Sequence, residues 1–94
     1  MAEKAVPTLQ IDNERARVTE FHFAPGAATG YHKHEHDYVI VPGKTGKLKL
    51  IGPDGEESIA ELTAGQCYFR QAGVEHDVIN ANDFPFSFVE VELK

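Results

Sequence analysis

The stretch Gly65-Gln66-Cys67-Tyr68-Phe69-Arg70-Gln71-Ala72-Gly73-Val74-Glu75-His76-Asp77-Val78-Ile79-Asn80 decides how this chain is read. Two glycines bracket a short β-prone run, QCYFR (66–70), and a second run, VEHDVIN (74–80), follows. Glycine accepts positive φ without steric penalty, so Gly65 and Gly73 suit turns that reverse the chain and aim His76 inward. Asn80 lies four residues beyond His76, and strand alternation puts both on one face. His76 can then face into the fold, and Asn80 reads as a structural hydrogen-bonding residue.

Outward from this stretch the chain is a series of short strands cut by turn residues. VPTLQI (6–11) precedes the polar Asp12-Asn13-Glu14, and ARVTEFHF (16–23) ends at Pro25-Gly26. Gly30 to Val41 holds alternating histidines and then a β-branched run, closed by Pro42-Gly43 and Thr45-Gly46. KLKLI (47–51) and SIAEL (58–62) flank Gly52-Pro53-Asp54-Gly55, a strong hairpin loop. FSFVEVEL (86–93) is the last strand. Strands recurring roughly every 8–12 residues, with no helical apolar period, indicate one all-β sandwich or barrel spanning residues 1–94.

Within that frame, histidine is the strongest chemical signal. His32-Lys33-His34-Glu35-His36 places three imidazoles at alternate positions, on one face of an extended strand. Two neighbouring imidazoles on one face can bind a single cation, whereas a plain polar strand is the other reading of His-x-His.

The spacing around these histidines separates the two readings. Gly26-x5-His32-x-His34, followed by Gly65-x5-Gln71-x-Gly73-x2-His76-x3-Asn80, resembles the two motifs of the cupin superfamily over roughly residues 21–80. The second motif matches at every spacing, with Gln71 in place of the usual proline. The resemblance implies a double-stranded β-helix (jelly-roll) barrel holding one divalent metal with His32, His34 and His76. Zn, Fe, Ni, Cu and Mn are not distinguished by imidazole ligands. The chain is also similar to small stand-alone cupins, some of which are assigned to β-alanine degradation.

One family feature is absent. Cupins usually supply a glutamate four or five residues after the second histidine, where this chain has Tyr38 and Val39. Glu35 and Asp37 alternate away from the histidines. Three outcomes stay open: a three-histidine site completed by water, recruitment of His36 as a fourth nitrogen, or an inactive site that binds metal weakly or not at all. Tyr38, pointing inward, is a candidate hydrogen-bond donor beside the metal or a core-filling residue, and Tyr38 and His36 are the candidate proton donors and acceptors.

Other residues carry weaker signals. His22 lies outside both motifs, and Cys67 reads as a small buried hydrophobe. Arg70 can meet a substrate carboxylate through a bidentate contact or end in a surface ion pair. Phe84, Phe86 and Phe88 take one face of the last strand and Val89, Val91 and Leu93 the other, so both faces need cover. A homodimer partner is the natural outer cover.

Composition narrows the partners. A chain of this length buries roughly 60–65% of its unfolded surface, a thin core that also favours association. The net charge of −6, with no basic stripe, argues against nucleic acid. No apolar run reaches the ~18–20 residues that cross a bilayer. MAEKAVPTLQ lacks a signal-peptide pattern and the single Cys67 has no disulfide partner, so a cytoplasmic location is the expectation. Two functions remain: a metal-dependent enzyme on a small polar or anionic metabolite, or a non-catalytic module that binds or senses a small ligand or metal.

Overall fold

A computed structural model describes residues 3–94; Met1 and Ala2, the start of the stretch searched for a leader, lie outside them. Among the described residues nine strands follow in chain order: β1 (Val6–Asp12), β2 (Ala16–Phe23), β3 (His32–Lys33), β4 (Asp37–Pro42), β5 (Gly46–Ile51), β6 (Glu57–Leu62), β7 (Tyr68–Arg70), β8 (Glu75–Asn80) and β9 (Phe86–Leu93). They form two antiparallel sheets, β1-β2-β9-β4-β7 and β3-β8-β5-β6, the jelly-roll architecture that the cupin resemblance implies. Among the described residues there is no helix long and apolar enough to cross a membrane.

The core sits between the sheets and follows from alternation. Phe86, Phe88 and Glu90 point in from β9, and Tyr38 and Ile40 point in from β4. Phe23 on β2, Leu48 on β5 and Val78 on β8 meet them in one cluster. Phe88 packs between Phe21 and Phe23 with ring centroids 5.5 and 5.4 Å away, an aromatic strip that closes the barrel on that side.

Turns sit where the punctuating residues predict them. Gly55 N donates to Gly52 O at 3.0 Å, and its φ of 78° closes the β5–β6 hairpin. Gly73 has a φ of 99° and donates to His34 O at 2.8 Å, while His34 N donates to Val74 O at 2.8 Å. This backbone pair extends the β3–β8 ladder by one step beyond its last paired residues.

Two expectations need correction. The alternation read from His32 through Asp37 is interrupted: β3 ends at Lys33 in the four-stranded sheet and β4 starts at Asp37 in the five-stranded one. The change of sheet consumes residues 34–36, so alternation does not carry across them. Cys67 is exposed rather than buried, because β7 starts only at Tyr68 and leaves residues 66 and 67 outside the ladder.

Candidate metal centre

His32 and His76 stand directly opposite each other in the β3–β8 pair, and the ladder's continuation through Val74 brings His34 beside them. The loop leading into β3 is tied to β8. Gly30 N donates to the Asp77 carboxylate at 3.0 Å, and Val78 N donates to Thr29 Oγ1 at 3.2 Å. The three rings converge through Nε2: His34 Nε2 lies 3.0 Å from His32 Nε2 and 3.1 Å from His76 Nε2.

These contacts do not satisfy themselves as hydrogen bonds. His32 Nδ1 lies 2.8 Å from Gly30 O, and a carbonyl only accepts, so Nδ1 carries the proton and the neutral ring turns a bare lone pair inward. His34 Nε2 faces both neighbours, and one N–H can serve only one of them. A cation at the convergence point satisfies all three lone pairs. Nitrogens bound to one ion at about 2.0–2.1 Å stand roughly 3 Å apart, which matches the observed separations. The donor set therefore fits a divalent transition metal.

Burial holds the triad in its ligating form. His34 and His76 are 6% and 8% exposed, and desolvation, with His32 next in weight, pushes their pKa down from 6.5 to about 4 and about 3. Neutral imidazole is the species that binds metal.

Beyond the triad the site opens into a cavity of about 320 Å³ between the sheets, lined also by Tyr38, Tyr68, Arg70, Glu90 and Glu92. The Tyr38 ring stacks on His34 with centroids 4.0 Å apart and planes at 22°. Its hydroxyl is buried and has no partner among the described residues, and desolvation pushes its pKa up to about 12, so it stays a donor. Glu90 Oε1 lies 4.0 Å from His34 Nδ1, on the side of the ring away from the other histidines. Burial, with Glu92 close by, pushes the Glu90 carboxyl up to about 7, so it can hold or release a proton near neutrality.

The structure thus brings together His32, His34 and His76, and it places Tyr38 against them. His36 is half-buried but lines no part of the cavity, and it does not join the histidine cluster. Its parity with His32 and His34 loses meaning where the chain changes sheets. No carboxylate joins the triad; Glu90 and Glu92 group instead with His34 alone. Both glutamates went unnoticed in the sequence, although their parity with Phe86 and Phe88 marks them as inward-facing acids. Asn80 is 2% exposed and takes no part in the triad. Its Nδ2 lies 3.3, 3.2 and 2.9 Å from the carbonyls of Phe23, Ala24 and Phe84, which ties three segments together.

Comparison with known proteins agrees with this architecture. Residues 19–92 match the family model described as "Cupin domain". The "Beta-alanine degradation protein BauB" of Pseudomonas aeruginosa is 57% identical over 97% of this chain and 95% of its own length. A cupin domain from Bordetella pertussis Tohama I superposes with a TM-score of 0.96 at 52% identity, covering 100% of this chain and 97% of that one. A double-stranded β-helix protein from Klebsiella pneumoniae, at 22% identity and a TM-score of 0.78, covers 96% of this chain and 76% of its own and shares the fold.

Proposed function

The chain belongs to the cupin domain family, and on that premise we propose that it is a small metal-binding cupin, a metal-dependent enzyme acting on a small polar or anionic metabolite. The convergence of three Nε2 atoms at 3.0 and 3.1 Å carries this reading, because one cation at that point satisfies all three nitrogens at once. His32, His34 and His76 would hold one divalent ion, with Gly30 O fixing the tautomer of His32. Such an ion, when bound, supplies Lewis acidity to a coordinated ligand atom. Around it, Tyr38 offers a hydrogen-bond donor and Arg70 a positive charge, while Leu48, Val78 and Phe88 keep the floor dry. The name of the Pseudomonas relative supports a place in β-alanine degradation.

The absence of a carboxylate from the triad favours a second reading, a module that captures a small ligand without turning it over. We also propose that the protein works as a homodimer.

Elemental analysis of protein purified without chelators tests the metal. About one ion per chain is expected in the wild type and a large loss in His32→Ala. Equal, sub-stoichiometric metal in both overturns the site. Turnover that disappears in a folded His76→Ala variant supports the enzyme, and a tightly bound ligand recovered unchanged supports the module.

A further inference from the structure

The metal centre leaves the charged wall of the cavity unused. Arg70 lines this wall half-buried, and among the described residues its guanidinium forms no ion pair and no side-chain hydrogen bond. Directly opposite it on β4 stands Tyr38, whose buried hydroxyl also has no partner. Two adjacent donors without an acceptor, one of them charged, match a carboxylate.

The other side of Tyr38 carries the opposite sign. Glu92 on β9 is its register partner there, and Glu90, two residues earlier, faces the same cavity at 8% exposure. Glu92 is engaged by Arg17 at 3.2 Å. Among the described residues Glu90 has no lysine or arginine against it, and its nearest basic atom is His34 Nδ1 at 4.0 Å. The wall therefore runs from acceptors on β9, across Tyr38, to donors on β7. Backbones two strands apart are about 10 Å apart, so side chains reaching inward from both leave room for a ligand of roughly three or four carbons between them.

We propose that this cavity binds a small zwitterion, its carboxylate on the Arg70 guanidinium and the Tyr38 hydroxyl and its ammonium on Glu90. A simple monocarboxylate would leave the Glu90 charge buried and unpaired, and a dianion would be repelled by it. A simple amine would leave Arg70 and Tyr38 unmatched. Because Tyr38 stacks on His34, the bound zwitterion lies against the three-histidine centre, and in that respect the inference rests on the metal-binding reading.

Calorimetric titration at pH 8 of the purified wild-type protein, its metal content measured on the same sample, tests this with three probes of equal chain length: 3-aminopropanoate, propanoate and propan-1-amine. Binding of 3-aminopropanoate at least about tenfold tighter than either single-charge probe is expected. Glu90→Gln is expected to weaken 3-aminopropanoate about tenfold and leave propanoate no weaker, while Arg70→Gln weakens both and Arg70→Lys restores part of the loss. Glu92→Gln, with thermal melts of every variant, guards against a folding defect at the buried Glu90. Propanoate binding as tightly as 3-aminopropanoate, Glu90→Gln changing neither, or no binding by a sample that carries its metal would each overturn the proposal. A wild type that binds the series as expected but carries no metal overturns the metal reading and leaves the ligand class standing.

Discussion

His32 and His76 are register partners across the β3–β8 pair, so the histidine from the first motif and the one from the second meet through a single rung of the ladder. His34, held by its backbone to Val74, completes the triad from the next rung. Three imidazoles packed this closely are stable together only while neutral or shared by a cation, and that makes the metal-free protein sensitive to acid.

The sign of that sensitivity follows from the shifts. His34 and His76 titrate near 6.5 when unfolded, and in the fold they are pushed down to about 4 and about 3. Below pH 6.5 the unfolded chain takes up protons that the folded one refuses, so stability falls as the pH drops through this window. Glu90, raised from 4.5 to about 7, acts the other way, since the fold keeps a proton there that the unfolded chain releases. Two histidines outweigh one carboxyl. Denaturant melts of chelated protein are expected to give a plateau above about pH 7 and a decline below 6.5. Glu90→Gln is expected to steepen that decline between 6.5 and 4.5, because it removes the opposing group. A melt profile unchanged between pH 7.5 and pH 5 would contradict the assignment.

Tyr38→Phe removes a buried hydroxyl that has no partner in the unliganded protein. Leaving such a group unmet costs about 1–3 kcal/mol, so this variant is expected to be as stable as wild type or more stable by about 1 kcal/mol. The ring that stacks on His34 is kept. Stability gained together with weakened carboxylate binding would mark the hydroxyl as reserved for a ligand; a loss of more than 1 kcal/mol would show that it has a partner within the fold.

Asn80 ties the barrel and stands outside the histidine triad. Besides its three carbonyl contacts, its Oδ1 accepts from Asn82 N at 2.9 Å and Asn82 Nδ2 at 2.8 Å. Asn80→Ala is expected to cost about 2–3 kcal/mol by orphaning these groups, and Asn80→Asp more, because a carboxylate oxygen would then face the carbonyls of Phe23, Ala24 and Phe84. Chemical denaturation reads the loss, and the three histidines are expected to keep their metal in whatever fraction stays folded. Asn80→Asp as stable as wild type would refute the tie.

What was legible in the sequence, and what was not, divides along one physical line. β2 and β9 keep their sequence-read bounds because unbroken alternation and flanking turn residues define them locally. His76 was readable because its motif keeps every spacing, and Gly73, three residues before it, takes the positive φ that such a turn needs. His36 was misleading because alternation presumes a continuous strand, and the chain leaves one sheet for the other between Lys33 and Asp37. Glu90 and Glu92 were missed for a different reason. Their parity was available, but a carboxylate at the end of a phenylalanine face reads as solvated unless the neighbouring strands are known, and those neighbours are long-range.

The same register defines an outer surface. Ile11, Val18, Val91, Val39 and Phe69 are successive partners across β1, β2, β9, β4 and β7, and all lie on the face turned away from the core. At about 4.8 Å per strand this makes an uncharged stripe about 20 Å long. Its two ends, Ile11 and Phe69, are 51% and 52% exposed. In a chain of net charge −6, an uncharged stripe is the face along which two copies repel least, and a two-fold axis lying in the contact plane, parallel to the sheet and across the stripe, lays each stripe on its copy. Light scattering on size-exclusion chromatography is therefore expected to give a dimer mass for the wild type at micromolar concentration. Ile11→Glu combined with Phe69→Glu puts like charges into the contact from exposed positions that the core does not use, so a folded monomer is expected. A wild type that runs as a monomer, or a double variant that stays dimeric, would place the outer cover elsewhere.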